Sequence, residues 1–274
     1  MNDRELLHFH AIHPKKSLGQ NFLHDPHALE KIVEIADLPP GAEVLEIGAG
    51  TGNLTRVLAQ HAGRLVAVET DERMLPILRA QFGGVPSVEL VHADILALDL
   101  AALFDERPYY VVANLPYYIT SAILRHLLEG HPRPQRLVIT VQREVADRLI
   151  AQPDDMSLLA VSVQFYGEPR LMMRLNPAAF WPRPDVESAV VRIDVYPRPP
   201  VEVPDEATFF RAVRAGFSQK RKQLRNALAS GLRIDKAATD ALLAQAGIEP
   251  HRRAETLTLE EWAALARALA AAGL

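Results

Sequence analysis

The sequence predicts an α/β fold, with a mostly parallel sheet covered by helices on both faces, followed by a small all-helical domain. Short apolar runs alternate with segments of helical periodicity in the first part of the chain, which is typical of a parallel sheet. Residues 196–204 hold four prolines and read as a stiff linker. Beyond this linker only helical periodicity remains, so the 274 residues divide into two domains.

The elements follow in order. Asp25 and Pro26 predict the start of a helix, because aspartate is a favoured N-cap and proline fits the first helical position. The five predicted strands that follow are residues 43–47, 65–69, 88–92, 110–113 and 136–141. The helices between and after them are predicted at 53–61, 72–81, 120–128 and 143–150. Two later apolar segments, 159–165 and 189–195, are predicted to complete a seven-stranded sheet.

These patterns give three regions. We expect a mobile N-terminal arm at residues 1–15, the α/β domain at 16–198 and the helical domain at 199–274. Within the last region, helices are predicted at 219–229, 235–246 and 259–271.

Composition excludes several classes of protein. With 49% apolar and 23% charged residues, the chain is an ordinary globular protein by composition. It contains no cysteine, which excludes disulfides, thiolate zinc sites, iron–sulfur clusters and cysteine nucleophiles, and which fits a cytoplasmic protein. No apolar stretch is long enough to predict a membrane span or a signal peptide. We expect no membrane partner and no metal, and we interpret the histidines at 8, 10 and 13 as a solvated tail.

A glycine-rich turn follows the first predicted strand and precedes a helix. Gly48, Gly50 and Gly52 are spaced Gly-x-Gly-x-Gly, unlike the Gly-x-Gly-x-x-Gly of dinucleotide enzymes. Glu69 ends the second strand, where a carboxylate can bind both hydroxyls of a ribose, and Asp94 follows the third, where it can accept from an adenine amine. The alternative is a turn whose glycines serve packing alone. The combination resembles the S-adenosylmethionine pocket of class I methyltransferases, which have a Rossmann-like sheet.

A second motif, Asn114-Leu115-Pro116-Tyr117, ends the fourth predicted strand. The Asn114 amide oxygen and a carbonyl left free before the proline are two acceptors that can hold both hydrogens of an exocyclic amine, and Tyr117 offers a ring for stacking. The alternative is that the motif forms an Asn-x-Pro turn in which Tyr117 is only a core residue. The pattern resembles that of amino-group methyltransferases acting on adenine or cytosine.

Two further segments are less specific alone. Phe180 opens a proline-stiffened loop, Phe180-Trp181-Pro182-Arg183-Pro184, which is followed by Val186 and Ser188. We interpret Phe180 as a candidate cover for the other face of a flipped-out base, against the alternative of a loop packed on the sheet. Residues 16–23, KSLGQNFL, form a polar segment before the first predicted helix.

The four motifs K-x-x-G-Q-N-F-L, E-I-G-x-G-x-G, N-L-P-Y and F-x-P-x-P-x-V-x-S occur here in that order. As an ordered set they resemble the ribosomal RNA adenine N6,N6-dimethyltransferase family, whose bacterial members underlie kasugamycin sensitivity. The resemblance continues through Phe217-Ser218-Gln219-Lys220-Arg221-Lys222 and Arg253-Ala254-Glu255 near the C-terminus. One departure is Ala49, where many relatives carry proline.

The resemblance implies roles for matching positions. It implies that S-adenosylmethionine is contacted by Asn21, Leu23, Gly48, Gly50, Glu69, Asp94 and Asn114. It implies that the target adenine meets Asn114, Leu115, Pro116, Tyr117 and Phe180. It also implies methylation of two adjacent adenosines in a hairpin loop near the 3′ end of 16S ribosomal RNA, in an assembling small subunit. Relatives that confer antibiotic resistance act instead on large-subunit RNA; Leu115, where those enzymes commonly carry isoleucine, favours the small-subunit target.

The predicted helical domain carries a basic segment within a chain of net charge −4. Residues 211–225 contain six basic and no acidic residues. The candidate RNA contacts are Arg214, Lys220, Arg221, Lys222 and Arg225. Arg214, Arg221 and Arg225 share one face if a single helix is continuous through them, and the alternative is a solvated charged surface.

Three functions remain open from the sequence. The first is the RNA dimethyltransferase, with S-adenosylmethionine as the methyl donor and ribosomal RNA as the partner. The second is a ribosome-assembly or RNA-binding factor in which catalysis is dispensable. The third is a nicotinamide-dependent oxidoreductase, suggested by the glycines alone. We expect a monomer, because no exposed apolar stripe stands out.

Overall fold

The computed structural model of the chain describes residues 3–15, 18–105 and 107–274. The helices are α1 (Asp3–Phe9), α2 (Pro26–Ala36), α3 (Asn53–Leu58), α4 (Leu75–Phe82), α5 (Leu100–Phe104), α6 (Thr120–Glu129), α7 (Arg143–Leu149), α8 (Leu158–Tyr166), α9 (Glu206–Gly216), α10 (Leu224–Leu232), α11 (Lys236–Gln245) and α12 (Leu259–Ala271). The strands are β1 (Phe22–Leu23), β2 (Glu43–Ile47), β3 (Arg64–Glu69), β4 (Val88–His92), β5 (Tyr109–Asn114), β6 (Arg136–Gln142), β7 (Gly167–Leu175), β8 (Phe180–Trp181) and β9 (Ser188–Val195).

Seven of these strands form one sheet in the order β4-β3-β2-β5-β6-β9-β7. The strands from β4 to β6 run parallel, and β9 pairs antiparallel with β6. Strands β2, β3, β5 and β6 are buried along most of their length, which explains their nearly continuous apolar runs. From β2 the chain first continues to one side, through β3 and β4, and then returns to the other side at β5. A crevice therefore lies at the carboxyl ends of β2 and β5, which is where ligands bind in open α/β sheets.

The first predicted helix corresponds to α2. The Asp25 carboxylate accepts from the backbone amides of His27 and Ala28, and Pro26 occupies the first turn. The apolar stripe of this helix is buried at Leu29, Ile32, Val33 and Ala36. This face packs against the sheet through residues that include Val112 and Val138.

The N-terminal residues form structure where a mobile arm was expected. Residues Asp3–Phe9 form α1, whose Leu7 is fully buried in a cluster with Ile77 and Phe82. The Asp3 carboxylate accepts from Asn53 Nδ2 at 2.9 and 3.0 Å, which fastens the helix to the start of α3. A segment this short with one buried leucine shows too little periodicity to predict a helix.

The chain divides into two compact units, and the boundary differs from the expected one. One unit comprises Met1–Ala146 and Glu168–Val195, and the other comprises Asp147–Gly167 and Tyr196–Leu274. We call them the sheet unit and the helical unit. The segment Asp147–Gly167, which the sequence analysis placed in the α/β domain, therefore groups with the C-terminal helices.

The prediction of a strand at residues 159–165 was wrong. This segment lies in α8, whose N-cap Ser157 accepts from the Ala160 amide. A short run that is apolar on every side does not distinguish a buried helix from a buried strand. Within the helical unit Phe165 stacks on Phe209 of α9, with ring centroids 4.4 Å apart. The seventh strand of the sheet is β7 instead, while the predicted strand at 189–195 is confirmed as β9.

The prediction of a basic helix at 219–229 was also wrong for residues 219–223, which are not helical. Helix α9 ends at Gly216, and α10 begins only at Leu224. A Cβ atom at Gly216 would lie 2.3 Å from the ring of Trp262 in α12, so the chain needs glycine there. Arg214, Arg221 and Arg225 therefore do not share one continuous helix face. We call residues 219–222 the basic turn.

Among the residues that the structure describes, no helix combines the length and the apolar character needed to span a bilayer.

Candidate active site

A cavity of about 370 Å³ opens at the carboxyl ends of the parallel strands in the sheet unit. Its wall includes Gly48 and Gly50 after β2, Glu69 at the end of β3, Asp94 after β4 and Asn114 at the end of β5. The parallel sheet brings together these residues, which are distant in sequence, because each lies where a strand ends. A volume of this size suits a small organic ligand.

The glycine-rich turn closes one side of the cavity. The amides of Gly48 and Ala49 donate to the carbonyl of Val68 at 2.8 and 3.2 Å, so that the turn is tied to β3. Gly50 has a φ of 55°, and a Cβ atom there would lie 2.9 Å from the Phe22 ring. Only glycine lets the turn approach Phe22 this closely without strain. Phe22 itself lines the cavity, a role that no sequence pattern signals.

The Glu69 carboxylate is held by backbone amides on both oxygens. Oε2 accepts from Gly50 N and Oε1 accepts from Asp71 N, each at 2.8 Å. Burial raises the pKa of Glu69, and the two amides oppose this rise by stabilising the ionised form. Each oxygen keeps further acceptor capacity, which fits the hydroxyls of a ribose.

Asn114 presents an unsatisfied acceptor. Its Nδ2 donates to the backbone carbonyl of Asn21 at 2.9 Å, which fixes the orientation of the amide. Its Oδ1 is buried and has no hydrogen-bond partner among the described residues. A buried acceptor without a partner is costly, and such groups mark places where a ligand completes the bonding.

The neighbouring residues of the N-L-P-Y motif are held by the sheet and by the first turn of α6. Leu115 N donates to Thr140 O of β6 at 3.1 Å, and the Pro116 carbonyl accepts from Thr120 Oγ1 at 3.1 Å. Leu115, Pro116 and Tyr117 all line the cavity. Tyr117 is half-buried, its hydroxyl lies 2.6 Å from Ser188 Oγ, and burial raises its pKa. The adjacent Tyr118 is 58% exposed at the same cavity.

The loop before β1 is fastened over the cavity by a network that sequence reasoning missed. Gln20 Nε2 donates to Asp71 Oδ2 at 2.8 Å, and Arg73 donates to both oxygens of Asp71. Hydrogen bonds from Arg73 lower the pKa of Asp71 to about 2, so the carboxylate stays ionised. Asp71 follows Glu69 by two positions, so the network joins the loop to the carboxylate of the cavity wall. No local pattern signals a bond between Gln20 and Asp71.

Asp94 is exposed at the rim of the cavity. Its Oδ1 accepts from Leu96 N at 3.0 Å and so caps a short turn. The turn uses Oδ1, so that Oδ2 can accept from an amine. Asn21 also lines the cavity, with its Nδ2 bonded to the Gly19 carbonyl at 3.3 Å. Lys16 and Ser17, the first two residues of the K-x-x-G-Q-N-F-L motif, lie outside the described residues.

Two of the residues assigned to the site lie elsewhere. Leu23 and Phe180 face each other across the antiparallel pair of β1 and β8, and they are 4% and 2% exposed in the apolar core. Neither lines the cavity. Side chains alternate along a strand, so the same pairing that turns Phe22 toward the cavity turns Leu23 and its partner Phe180 into the core.

The candidate RNA contacts in the helical unit fall into two groups. Arg214, Lys220, Arg221 and Lys222 are exposed, and none has an ion pair with a residue in the described ranges. Arg225 instead forms an ion pair with Asp240 of α11, so its charge is largely used within the unit. The structure describes no group of three or more histidine and acidic side chains able to hold a metal, within residues 3–15, 18–105 and 107–274.

Comparisons with known proteins agree on one family. A sequence model described as "Ribosomal RNA adenine dimethylase" matches residues 12–271. "Ribosomal RNA small subunit methyltransferase A" of Dehalococcoides mccartyi is 45% identical over 260 residues, which cover 94% of this chain and 89% of that protein. The protein with the same description from Geobacillus kaustophilus is 43% identical and covers 97% of this chain and 94% of its own length.

Two solved structures are also similar to this chain over more than 90% of its length. The structure titled "23S rRNA methyltransferase ErmE" is 29% identical, has a TM-score of 0.72 and matches 91% of this chain and 100% of its own. A dimethyladenosine transferase from Plasmodium falciparum has a TM-score of 0.75, with 92% of this chain and 98% of that chain covered. At 23% identity, the second comparison concerns the fold alone.

Proposed function

The chain belongs to the ribosomal RNA adenine dimethylase family, and we propose that it methylates N6 of two adjacent adenosines in a hairpin loop near the 3′ end of 16S ribosomal RNA. S-adenosylmethionine is the methyl donor, the product is N6,N6-dimethyladenosine, and the protein acts as a monomer in the cytoplasm on an assembling small subunit. The fold is the class I methyltransferase fold with a C-terminal helical region. Relatives described as small-subunit methyltransferases, at 40–45% identity over most of the chain, support this target.

One observation carries the proposal: the buried, unpartnered Oδ1 of Asn114 in the wall of the cavity. An adenine amine has two hydrogens, and Asn114 Oδ1 and the Leu115 carbonyl provide two acceptors next to each other. The bond from Asn114 Nδ2 to Asn21 O fixes the oxygen toward the ligand before the substrate arrives. Such preorganisation is a main source of catalytic rate.

The residues around the cavity fit S-adenosylmethionine. Glu69 offers oriented carboxylate oxygens for a ribose, Asp94 an acceptor at the rim, and the glycine turn a close backbone approach. The donor, when bound, supplies an electrophilic methyl group from its sulfonium. Leu23 has no part in this wall of the cavity.

The rate of methyl transfer then depends on how the residues of the cavity change the nucleophilicity of N6. The N6 lone pair is conjugated with the adenine ring, which makes it a poor nucleophile. When Asn114 Oδ1 and the Leu115 carbonyl accept hydrogen bonds from the two N6 hydrogens, N6 is drawn toward tetrahedral geometry and its lone pair is freed. Holding the lone pair in line with the methyl group lowers the activation barrier through proximity, which can supply up to about 7–11 kcal/mol. No base is required, because the methylated ammonium is acidic and releases its proton to water.

Tyr117 provides the stacking surface for the target base, which has to leave its own stack to enter the cavity. A hairpin loop makes this extrusion easier than a duplex does. Phe180 is not part of this surface, since it is buried in the core. The exposed cations Arg214, Lys220, Arg221 and Lys222 supply phosphate contacts that position the RNA.

The alternative target is large-subunit RNA, the RNA named for the ErmE structure, but the relatives at 40–45% identity favour the small subunit. The experiment uses tritiated S-adenosylmethionine with small and large subunits from a strain that lacks N6-dimethyladenosine. After digestion, the proposal predicts labelled dimethyladenosine from small subunits only. Label in large-subunit RNA would instead assign the protein to the relatives that confer antibiotic resistance. Absence of label from both, with the donor still bound, would favour an assembly factor instead.

A further inference from the structure

The hydroxyl of Tyr117 meets a serine from a distant part of the chain. Tyr117 follows β5, while Ser188 is the first residue of β9, and β6 lies between these strands in the sheet. The two oxygen atoms are 2.6 Å apart. Ser188 is fully buried, in register with Gln142 at the carboxyl end of β6. The phenol of Tyr117 therefore extends past the end of β6 to reach its partner.

The backbone of Tyr117 is already fixed by other contacts. Leu115 N is bonded to Thr140 O, and the Pro116 carbonyl accepts from Ile119 N at 3.3 Å and from Thr120 Oγ1. These bonds leave the two side-chain torsions of Tyr117 as its remaining freedom. A hydrogen bond at the far end of the ring removes that freedom. A phenol is protonated at neutral pH, and burial raises the pKa of Tyr117 further, so its hydroxyl remains available for the bond to Ser188.

We propose that Ser188 is a positioning residue for methyl transfer, because its bond to Tyr117 sets the plane of the ring on which the target adenine stacks. The proposal rests on the proposed function, since the ring acts only if a base enters the cavity. Ser188 is the last residue of the F-x-P-x-P-x-V-x-S motif, and the proposal assigns it a role, whereas Phe180 of the same motif lies in the core. Ser188 does not touch the substrate and acts through Tyr117 alone.

The competing explanation is that Tyr117 satisfies a buried serine and that the bond contributes to stability only. The two explanations differ in how the two residues combine. If Ser188 acts through the phenol, removing either hydroxyl has the same effect, and removing both adds nothing further. A purely structural bond would lower the stability without changing the rate of transfer in the folded protein.

The experiment compares Ser188→Ala, Tyr117→Phe and the double variant as full-length proteins. Single-turnover methyl transfer is measured at saturating small subunits lacking dimethyladenosine, and donor affinity is measured by calorimetry. Two matched controls lose a hydroxyl elsewhere. In Ser162→Ala a buried serine loses its 2.8 Å bond to Leu158 O. In Tyr110→Phe a phenol loses its 3.0 Å bond to Gln135 Oε1.

We expect each single variant to lose about three- to tenfold in transfer rate, the range for one hydrogen bond, with donor affinity unchanged. The double variant should be no slower than the slower single variant, and both controls should keep the wild-type rate. A wild-type rate in Ser188→Ala, or losses that multiply in the double variant, would overturn the proposal.

If Ser188→Ala does not fold, Tyr117→Phe decides the question, since it removes the same bond and keeps both residues packed. A wild-type rate in Tyr117→Phe would then overturn the proposal while leaving the proposed function intact. Wild-type protein that transfers no methyl group to any ribosomal RNA would overturn both.

Discussion

The wall of the cavity and the basic turn of the helical unit are built in opposite ways. In the wall, polar groups are buried and held by the backbone: Glu69 by two amides, and Asn114 by a carbonyl. In the basic turn, Lys220 and Arg221 are exposed and have no ion pair among the described residues. Fixed, desolvated groups suit chemistry on a single atom, while mobile exposed cations suit affinity for a phosphate backbone. The difference predicts that the two regions fail in different ways when changed.

The largest effect is expected from Asn114→Ala. Loss of the oriented acceptor should lower single-turnover transfer by about 10²–10³-fold, as when one preorganised group is removed from an active site. RNA affinity, measured by filter binding in the same preparation, should stay near the wild-type value. A variant that keeps wild-type turnover would remove Asn114 from the chemistry.

The second effect concerns the basic turn. Reversing the charge with Arg221→Glu and Lys222→Glu should weaken RNA binding at least about tenfold and reduce the slope of log K against log salt by about 2. Lys236→Glu, at an exposed cation of the same unit outside the turn, is the matched control. If the salt slope stays at the wild-type value, this turn is not part of the RNA interface.

A third prediction concerns a buried carboxyl behind the glycine turn. Burial, together with a smaller contribution from the nearby Glu69, raises the pKa of Glu46 from 4.5 to about 8. Between these values the folded protein holds one proton that the unfolded chain has lost, so raising the pH favours unfolding. Relative to wild type, Glu46→Gln should therefore gain roughly 1 kcal/mol of stability per pH unit from about pH 5 to 8.

Urea unfolding at several pH values measures this difference. Above about pH 8 the gain should level off, because the folded wild type has then lost the proton as well. Glu30→Gln, at an exposed position of α2, is the matched control. A Glu46→Gln difference that does not change with pH would mean that Glu46 is ionised in the folded protein.

The smallest effect is expected at Arg225. Because Arg225 is paired with Asp240, Arg225→Ala should cost about 1 kcal/mol of stability and leave the salt slope of RNA binding unchanged. Thermal unfolding and filter binding measure the two quantities. A slope that falls by about 1 would show that Arg225 leaves Asp240 to contact phosphate.

The sequence allowed more to be predicted about the cavity than about the basic segment. A parallel sheet brings strand ends together whatever the loops do, and so Gly48, Glu69, Asp94 and Asn114 could be expected in one cavity. Their roles in binding remain a proposal. The basic segment depends on where a helix stops, and no local pattern in residues 214–225 signals that α9 ends at Gly216 and α10 begins only at Leu224.

Two other differences have equally local causes. Strand alternation between β1 and β8 sends Leu23 and Phe180 into the core, and this register could not be deduced from a two-residue strand. The segment at 159–165 is apolar on every side, so periodicity could not assign it, and the partner Phe209 that it packs against comes later in the chain.

The most direct test measures transfer rate against small-subunit concentration for two variants side by side, Asn114→Ala and the double charge reversal at Arg221 and Lys222. At low salt and saturating subunits, the charge-reversed protein should recover most of the wild-type rate, because only its affinity is impaired. Asn114→Ala should stay about 10²–10³-fold slower than wild type at every concentration while binding subunits normally. Recovery of Asn114→Ala at saturation would contradict the account, since it would make the buried amide a binding group and not the group that prepares N6 for methylation.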